Sequence, residues 1–138
     1  MTGPEPETNE PAHDPEVLQL AAKIFDLARQ GDTATVAAYV DAGVPPNLSN
    51  DKGDTLLMLA AYHGHADTVR VLLERGGDPR RGNDKGQTPI AGAVFKGAID
   101  VVRTLLAAGA DPAAGQPSAI DTARMFGRTE LLDLFGAD

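Results

Sequence analysis

The chain has 138 residues, 42% hydrophobic but only 4% aromatic, a balance that suits one small domain with a core of Ala, Val and Leu. It has no cysteine, which excludes disulfides and thiolate chemistry, and no apolar run approaches the roughly 18 residues a membrane-spanning helix needs. A net charge of −8 disfavours nucleic acid as a partner, with Arg80, Arg81, Lys52 and Lys85 making only a local basic spot.

Residues 1–15 hold four prolines and almost no large apolar side chain. Through Glu16 the acids Glu5, Glu7, Glu10, Asp14 and Glu16 meet no Lys or Arg. Such a stretch buries too little surface to offset its ordering entropy. The expectation is a disordered acidic leader over 1–15, a solubilising tail with a docking or regulatory role as the alternative, and a folded domain over 16–138. The leader has no basic start and no apolar stretch of a secretory signal, so a cytoplasmic location is expected.

Glu16–Gln30 reads as the first helix of a terminal unit, with Val17, Leu20, Ala21, Ile24 and Leu27 or Ala28 on one face. Lys23, Asp26, Arg29 and Gln30 give it the polar outer surface of an end cap. Val36 and Val40 mark a second helix ending near Gly43, and Asn47–Thr55 is turn material forming a first finger.

From Asp51 the chain repeats itself. DKGDTLLMLAAYHGHADTVRVLLERGGDP returns from Asp84 as DKGQTPIAGAVFKGAIDVVRTLLAAGADP, pairing Thr55 with Thr88, Gly64 with Gly97 and Gly76 with Gly109. A fixed period of this size marks stacked supersecondary units. Thr55 and Thr88 suit N-caps, with Pro89 at a first helical position where its missing donor does no harm. Small residues (Ala60, Ala61, Ala91, Gly92, Ala93) allow close approach between the short helices that follow. Val69, Leu72 and Leu73, like Val102, Leu105 and Leu106, have the spacing of one buried helix face. Gly31 and Gly43 precede Gly64 and Gly76 by the same period, so the terminal unit keeps the register. Arg80–Thr88 forms the second finger. After Gly109 the period shortens, and Gly127 follows Gly97 more closely than Gly97 follows Gly64. Ser118 takes the capping position there, and Leu131, Leu132 and Phe135 end a shorter helix. Four units, the last a C-terminal cap, are expected to be the whole array.

These units resemble ankyrin repeats. Asn50, Gly53, Thr55, Leu57, Ala60, Ala61, Gly64, His65, Val69, Leu72, Leu73 and Gly76 fall on the family pattern, over roughly residues 16 to 138. The chain departs where Met58 and Ala91 replace a histidine that in the family ties neighbouring fingers, and where Leu56 replaces a proline. The resemblance implies an all-α, ankyrin-type helical solenoid of four units, two internal and two terminal caps, with short hairpin-like fingers. It also suggests, together with the Ala-, Gly- and Arg-rich composition, a small bacterial array.

Motifs for chemistry are sparse. His63 and His65 lack a third metal ligand in sequence, His65 fits a structural turn position, and no phosphate loop or nucleophile elbow occurs. The expected reading has no catalytic residue, no metal and no cofactor. The resemblance instead implies partner binding on a concave face made by finger tips and the last turns of the first helices. Carried over residue by residue, the partner-binding positions are Ser49, Asp51, Lys52, Asp54, Tyr62 and His63, then Gly82, Asp84, Lys85, Gln87, Phe95 and Lys96, and finally Met125 and Phe126. Arg29 and Gln30 align with Tyr62 and His63. Three of the six aromatics (Tyr62, Phe95 and Phe126) fall on this strip, whereas Phe25, Tyr39 and Phe135 are expected to pack inside. The functional expectation is a protein-interaction module, a monomer on its own, binding neither nucleic acid nor membrane. Its alternatives are a regulator masking an enzyme or toxin, and a self-associating structural subunit.

Overall fold

A computed structural model describes residues 15–137. The expected leader therefore lies, but for Pro15, outside the described residues. Those residues form eight helices in four antiparallel pairs: α1 (Pro15–Gln30) with α2 (Thr33–Asp41), α3 (Leu56–Tyr62) with α4 (Ala66–Glu74), α5 (Pro89–Lys96) with α6 (Ile99–Ala107), and α7 (Ala119–Met125) with α8 (Thr129–Phe135). The first helices stack in the row α1, α3, α5, α7, and α2, α4 and α6 form a second row behind it. Two seven-residue helices make the last pair, and α8 leans on α7. This is the four-unit helical array expected from the sequence repeat.

Each internal unit starts at the predicted cap. Thr55 Oγ1 accepts from the Met58 N–H at 3.1 Å, and Thr88 Oγ1 from the Ala91 N–H at 3.2 Å. Ser118 Oγ repeats this with the Asp121 N–H at 3.0 Å. Each such cap contributes about 1 kcal/mol. The helices after Thr55 and Thr88 are buried along most of their length, which small residues make possible: Ala60, Ala61 and Ala93 are inaccessible to solvent.

The second helices bury Val69 and Leu72, then Val102 and Leu105, as their spacing predicts, while Leu73 and Leu106 are only partly covered. The core also includes Thr68 and Val101, equivalent positions that the sequence pattern passed over although each lies one helical turn before a buried leucine. Thr68 Oγ1 meets Thr33 Oγ1 at 2.7 Å, so its hydroxyl is satisfied between units. Phe25 is buried, and Tyr39 and Phe135 pack against the core.

One expectation fails in α1. Ile24 and Ala28 are buried as predicted, but Leu20 is 40% exposed. The register of Gly31 with Gly64 aligns only the C-terminal part of α1, from Lys23 to Arg29, with α3. The earlier turns of this long helix project past the neighbour that would cover them.

The fingers are held without the family histidine. The Asn50 side-chain oxygen accepts from the N–H groups of Lys52 and Asp54, and Asn83 does the same for Lys85 and Gln87. Adjacent fingers are joined by backbone bonds, Asp84 N–H to Lys52 C=O and Gln116 N–H to Gly86 C=O, each at 3.0 Å. The Asn83 amide adds a 2.8 Å bond to Asp54 Oδ1. A second tie runs at the other ends of the units: Asn47 donates to the Gly76 carbonyl, and Arg80, its equivalent in the next unit, to the Gly109 carbonyl.

Candidate functional site

The last turns of α3 and α5, and the residue after α7, carry Tyr62, Phe95 and Phe126. Equivalent positions in stacked units place them in a row. The Tyr62 and Phe95 rings stack with centroids 5.6 Å apart and planes 6° from parallel, and Phe126 meets Phe95 edge-on at 5.3 Å. Both geometries are favoured by the aromatic quadrupole. The rings remain 43%, 45% and 48% exposed, so they pack on each other and still face solvent. The sequence left exposure and helix packing as alternatives, and the side chains do both.

This ladder floors a half-open groove of about 460 Å³ between the fingers and the row of first helices. Of the predicted binding positions, Lys52, Asp54, Tyr62, His63, Gln87, Phe95, Met125 and Phe126 line it. Asp51, Asp84 and Lys85 are exposed at the finger tips outside the lining, and Lys96 flanks its far end, with its stem against Gly64. Ser49 is engaged in a bridge with Thr55, and Gly82 lies by the Gln87 carbonyl, so neither contributes to the groove.

The sequence did not single out Leu59, Asn83, Pro117 or Thr122 as lining residues. Met58 and Ala91 carried a usable signal: at these positions the family histidine is replaced by apolar groups, and the groove floor there is correspondingly apolar. Gly92 also lies in the lining, where an added Cβ would stand 3.5 Å from Tyr62.

One end of the groove is cationic. His63 packs edge-on against Tyr62 and lies 6.3 Å from the His65 ring. Burial, followed by the charges of His65, Lys96 and Arg29, holds the His63 imidazole below its ordinary range, favouring the neutral ring. His65 itself is occupied. Its Nε2 lies 2.7 Å from the Arg29 carbonyl, and the close approach of this ring to Gly31 (φ 77°) leaves no room for a Cβ there, 2.5 Å from Nδ1. Arg128, in the corresponding place of the last unit, donates to the Phe95 carbonyl at 3.0 Å. Among the described residues no group of three or more His, Cys, Asp or Glu is placed to hold a metal ion. No described helix is long and apolar enough to cross a membrane.

Comparison with known proteins agrees with this architecture. The family profile "Ankyrin repeats (3 copies)" matches residues 18–115. An ankyrin repeat protein of Pseudomonas aeruginosa is 53% identical over 57 residues, which is 41% of this chain and 33% of that protein. The chain thus matches about a third of that relative's length. The crystal structure of the human ASB11 ankyrin repeat domain superposes with a TM-score of 0.74 at 26% identity, covering 81% of this chain and 52% of the other. With a regular repeat, capped helix pairs, cross-bonded fingers and a family match over most of its length, the chain belongs to the ankyrin repeat family.

Proposed function

We propose that the groove docks a segment of a partner protein and that the chain acts by this binding, without catalysis. Ankyrin repeats as a class are protein–protein interaction modules, which supports the general role. The observation that supports this particular site is the ladder of Tyr62, Phe95 and Phe126, three half-exposed rings in contact along the floor. Amphipathic aromatics flanked by charge are typical of interface centres, and an open groove suits a helix or loop better than a small molecule, which a closed pocket would surround.

The test is co-purification from the source organism with the parent chain and with Tyr62→Ala/Phe95→Ala. Partners retained by the parent and lost by the folded double variant support the site. Partners retained equally by both mean that the binding surface lies elsewhere. Light scattering across concentration distinguishes hetero-binding from self-association, since a structural subunit gains mass as it is concentrated.

A further inference from the structure

The groove differs in charge from the chain that surrounds it. Its basic and acidic lining residues are Arg29, Lys52, His63 and Asp54, with Lys96 beside His63, on a chain of net charge −8. Asp54 already accepts from the Asn83 amide, and Arg29 is paired with Asp26 at 2.6 Å. Lys52 and Lys96, by contrast, take part in no ion pair among the described residues. The ionisable groups around His63 are Arg29 on α1, Tyr62 on α3, His65 at the start of α4 and Lys96 on α5, and Asp26 is the acid held by that Arg29.

This inference rests on the docking role above and names its occupant. We propose that the groove takes an acidic segment of a partner protein, with an aromatic or long aliphatic side chain on the Tyr62–Phe95–Phe126 floor and a glutamate or aspartate side chain against Lys96 and His63. A carboxylate there replaces cation–cation repulsion with charge-assisted hydrogen bonds. A basic segment would add charge to an already cationic end and find only Asp54 in the lining. At the opposite end Asp51 and Asp84, exposed at the finger tips, together with Asp54 in the lining outnumber Lys52 and Lys85 and disfavour an acid there. They thereby set the polarity of the segment, with its acidic side chain at the helix ends, about 10 Å along α3 from the fingers. A bound carboxylate also favours protonation of His63, so binding takes up a proton and strengthens toward acid pH.

The experiment probes an array of random peptides of about twelve residues, amidated at the C-terminus so that only side-chain carboxylates are offered, with the full chain. The expected selection pairs an aromatic or leucine with Glu or Asp within about one helical turn. Replacing that acid by its amide in the selected peptide is expected to weaken binding about tenfold, as is Lys96→Glu. Affinity for the acidic peptide should rise several-fold from about pH 7.5 to about pH 5.5, and His63→Gln should remove the rise. Selected peptides that need the aromatic floor but bind equally as amides overturn the acidic occupant and leave docking intact. Binding that is indifferent to Tyr62→Ala/Phe95→Ala, or an array that yields no peptide, overturns the groove reading and this inference with it. If the double variant loses its helical signal, Met125→Ala, at a side chain 64% exposed, tests the floor in its place.

Discussion

His65 Nε2 lies 2.7 Å from the carbonyl oxygen of Arg29, a tie from one unit to the end of the first helix in the unit before. Arg128 makes the corresponding tie to Phe95, but Ala98 occupies the same place between the second and third units and cannot. At this place two interfaces of the array are therefore stitched, while the middle one relies on the bonds between its fingers. His65→Ala is expected to lower stability by about 1 kcal/mol, and Ala98→Arg, which can copy the Arg128 bond, to raise it by up to about 1 kcal/mol. Urea titration of the two variants beside the parent checks both signs; a destabilised Ala98→Arg would show that the middle interface cannot accept the tie.

Leu72 and Leu105 are fully buried at equivalent places in α4 and α6. Truncating either to alanine should cost about 2–5 kcal/mol, because little around a stacked helix pair can collapse into the space. In a nearest-neighbour array the loss should spread chiefly to adjacent units. Hydrogen exchange on Leu105→Ala is expected to show the largest loss of protection in α5 and α6, a smaller loss in the neighbouring pairs α3–α4 and α7–α8, and the least in α1 and α2. Uniform loss across all eight helices would indicate a more cooperative unit.

Gly53 has φ 80°, and a Cβ built there would approach Asp84 Oδ1 to 2.5 Å and the Asp84 nitrogen to 2.9 Å. Gly53→Ala thus combines backbone strain with a clash at the joint between fingers. The expected cost is about 1–3 kcal/mol. Gly86→Ala, also at positive φ but facing open space, carries the strain alone and should cost less. Equal losses in thermal melts of the two would mean that contact between fingers contributes nothing.

His63 is held below the ordinary imidazole value of 6.5, first by burial and then by His65, Lys96 and Arg29. Its folded pKa is lower than its unfolded pKa, so the unfolded chain binds the proton more readily. This penalty is absent above 6.5 and grows as pH falls from there toward the folded value. Stability in the absence of a partner should accordingly decline from about pH 7 to about pH 5, and His63→Gln should reduce the slope. Asp41 acts in a separate window. The hydrogen bond from Arg75 lowers its pKa below 3.8, so its contribution is present above that value and is lost as pH falls through the folded one. A slope between pH 7 and 5 unchanged by His63→Gln would assign it to another group.

Phe95 stacks on Tyr62 and meets Phe126 edge-on, so the floor also joins units two to four. Phe95→Ala should lower stability by about 1–2 kcal/mol, more than an isolated half-exposed residue would. Tyr62→Ala/Phe126→Ala should show coupling to it in a double-mutant cycle. Strict additivity would mean that the rings touch without contributing to stability.

Periodicity alone determined the four-unit array, the caps at Thr55, Thr88 and Ser118, and the buried faces carrying Leu72 and Leu105, because these depend on local spacing within a single repeat. It also put Tyr62, Phe95 and Phe126 at equivalent positions. Tertiary structure decided what equivalence could not: the rings touch instead of standing apart, Lys52 lines the groove while Asp51 beside it does not, and Leu20 lies past the reach of α3. Such outcomes depend on the distance and rotation between stacked units. Those follow from how closely Ala60, Ala91 and Gly92 let the helices approach, a sum over packed side chains that a one-dimensional pattern does not contain.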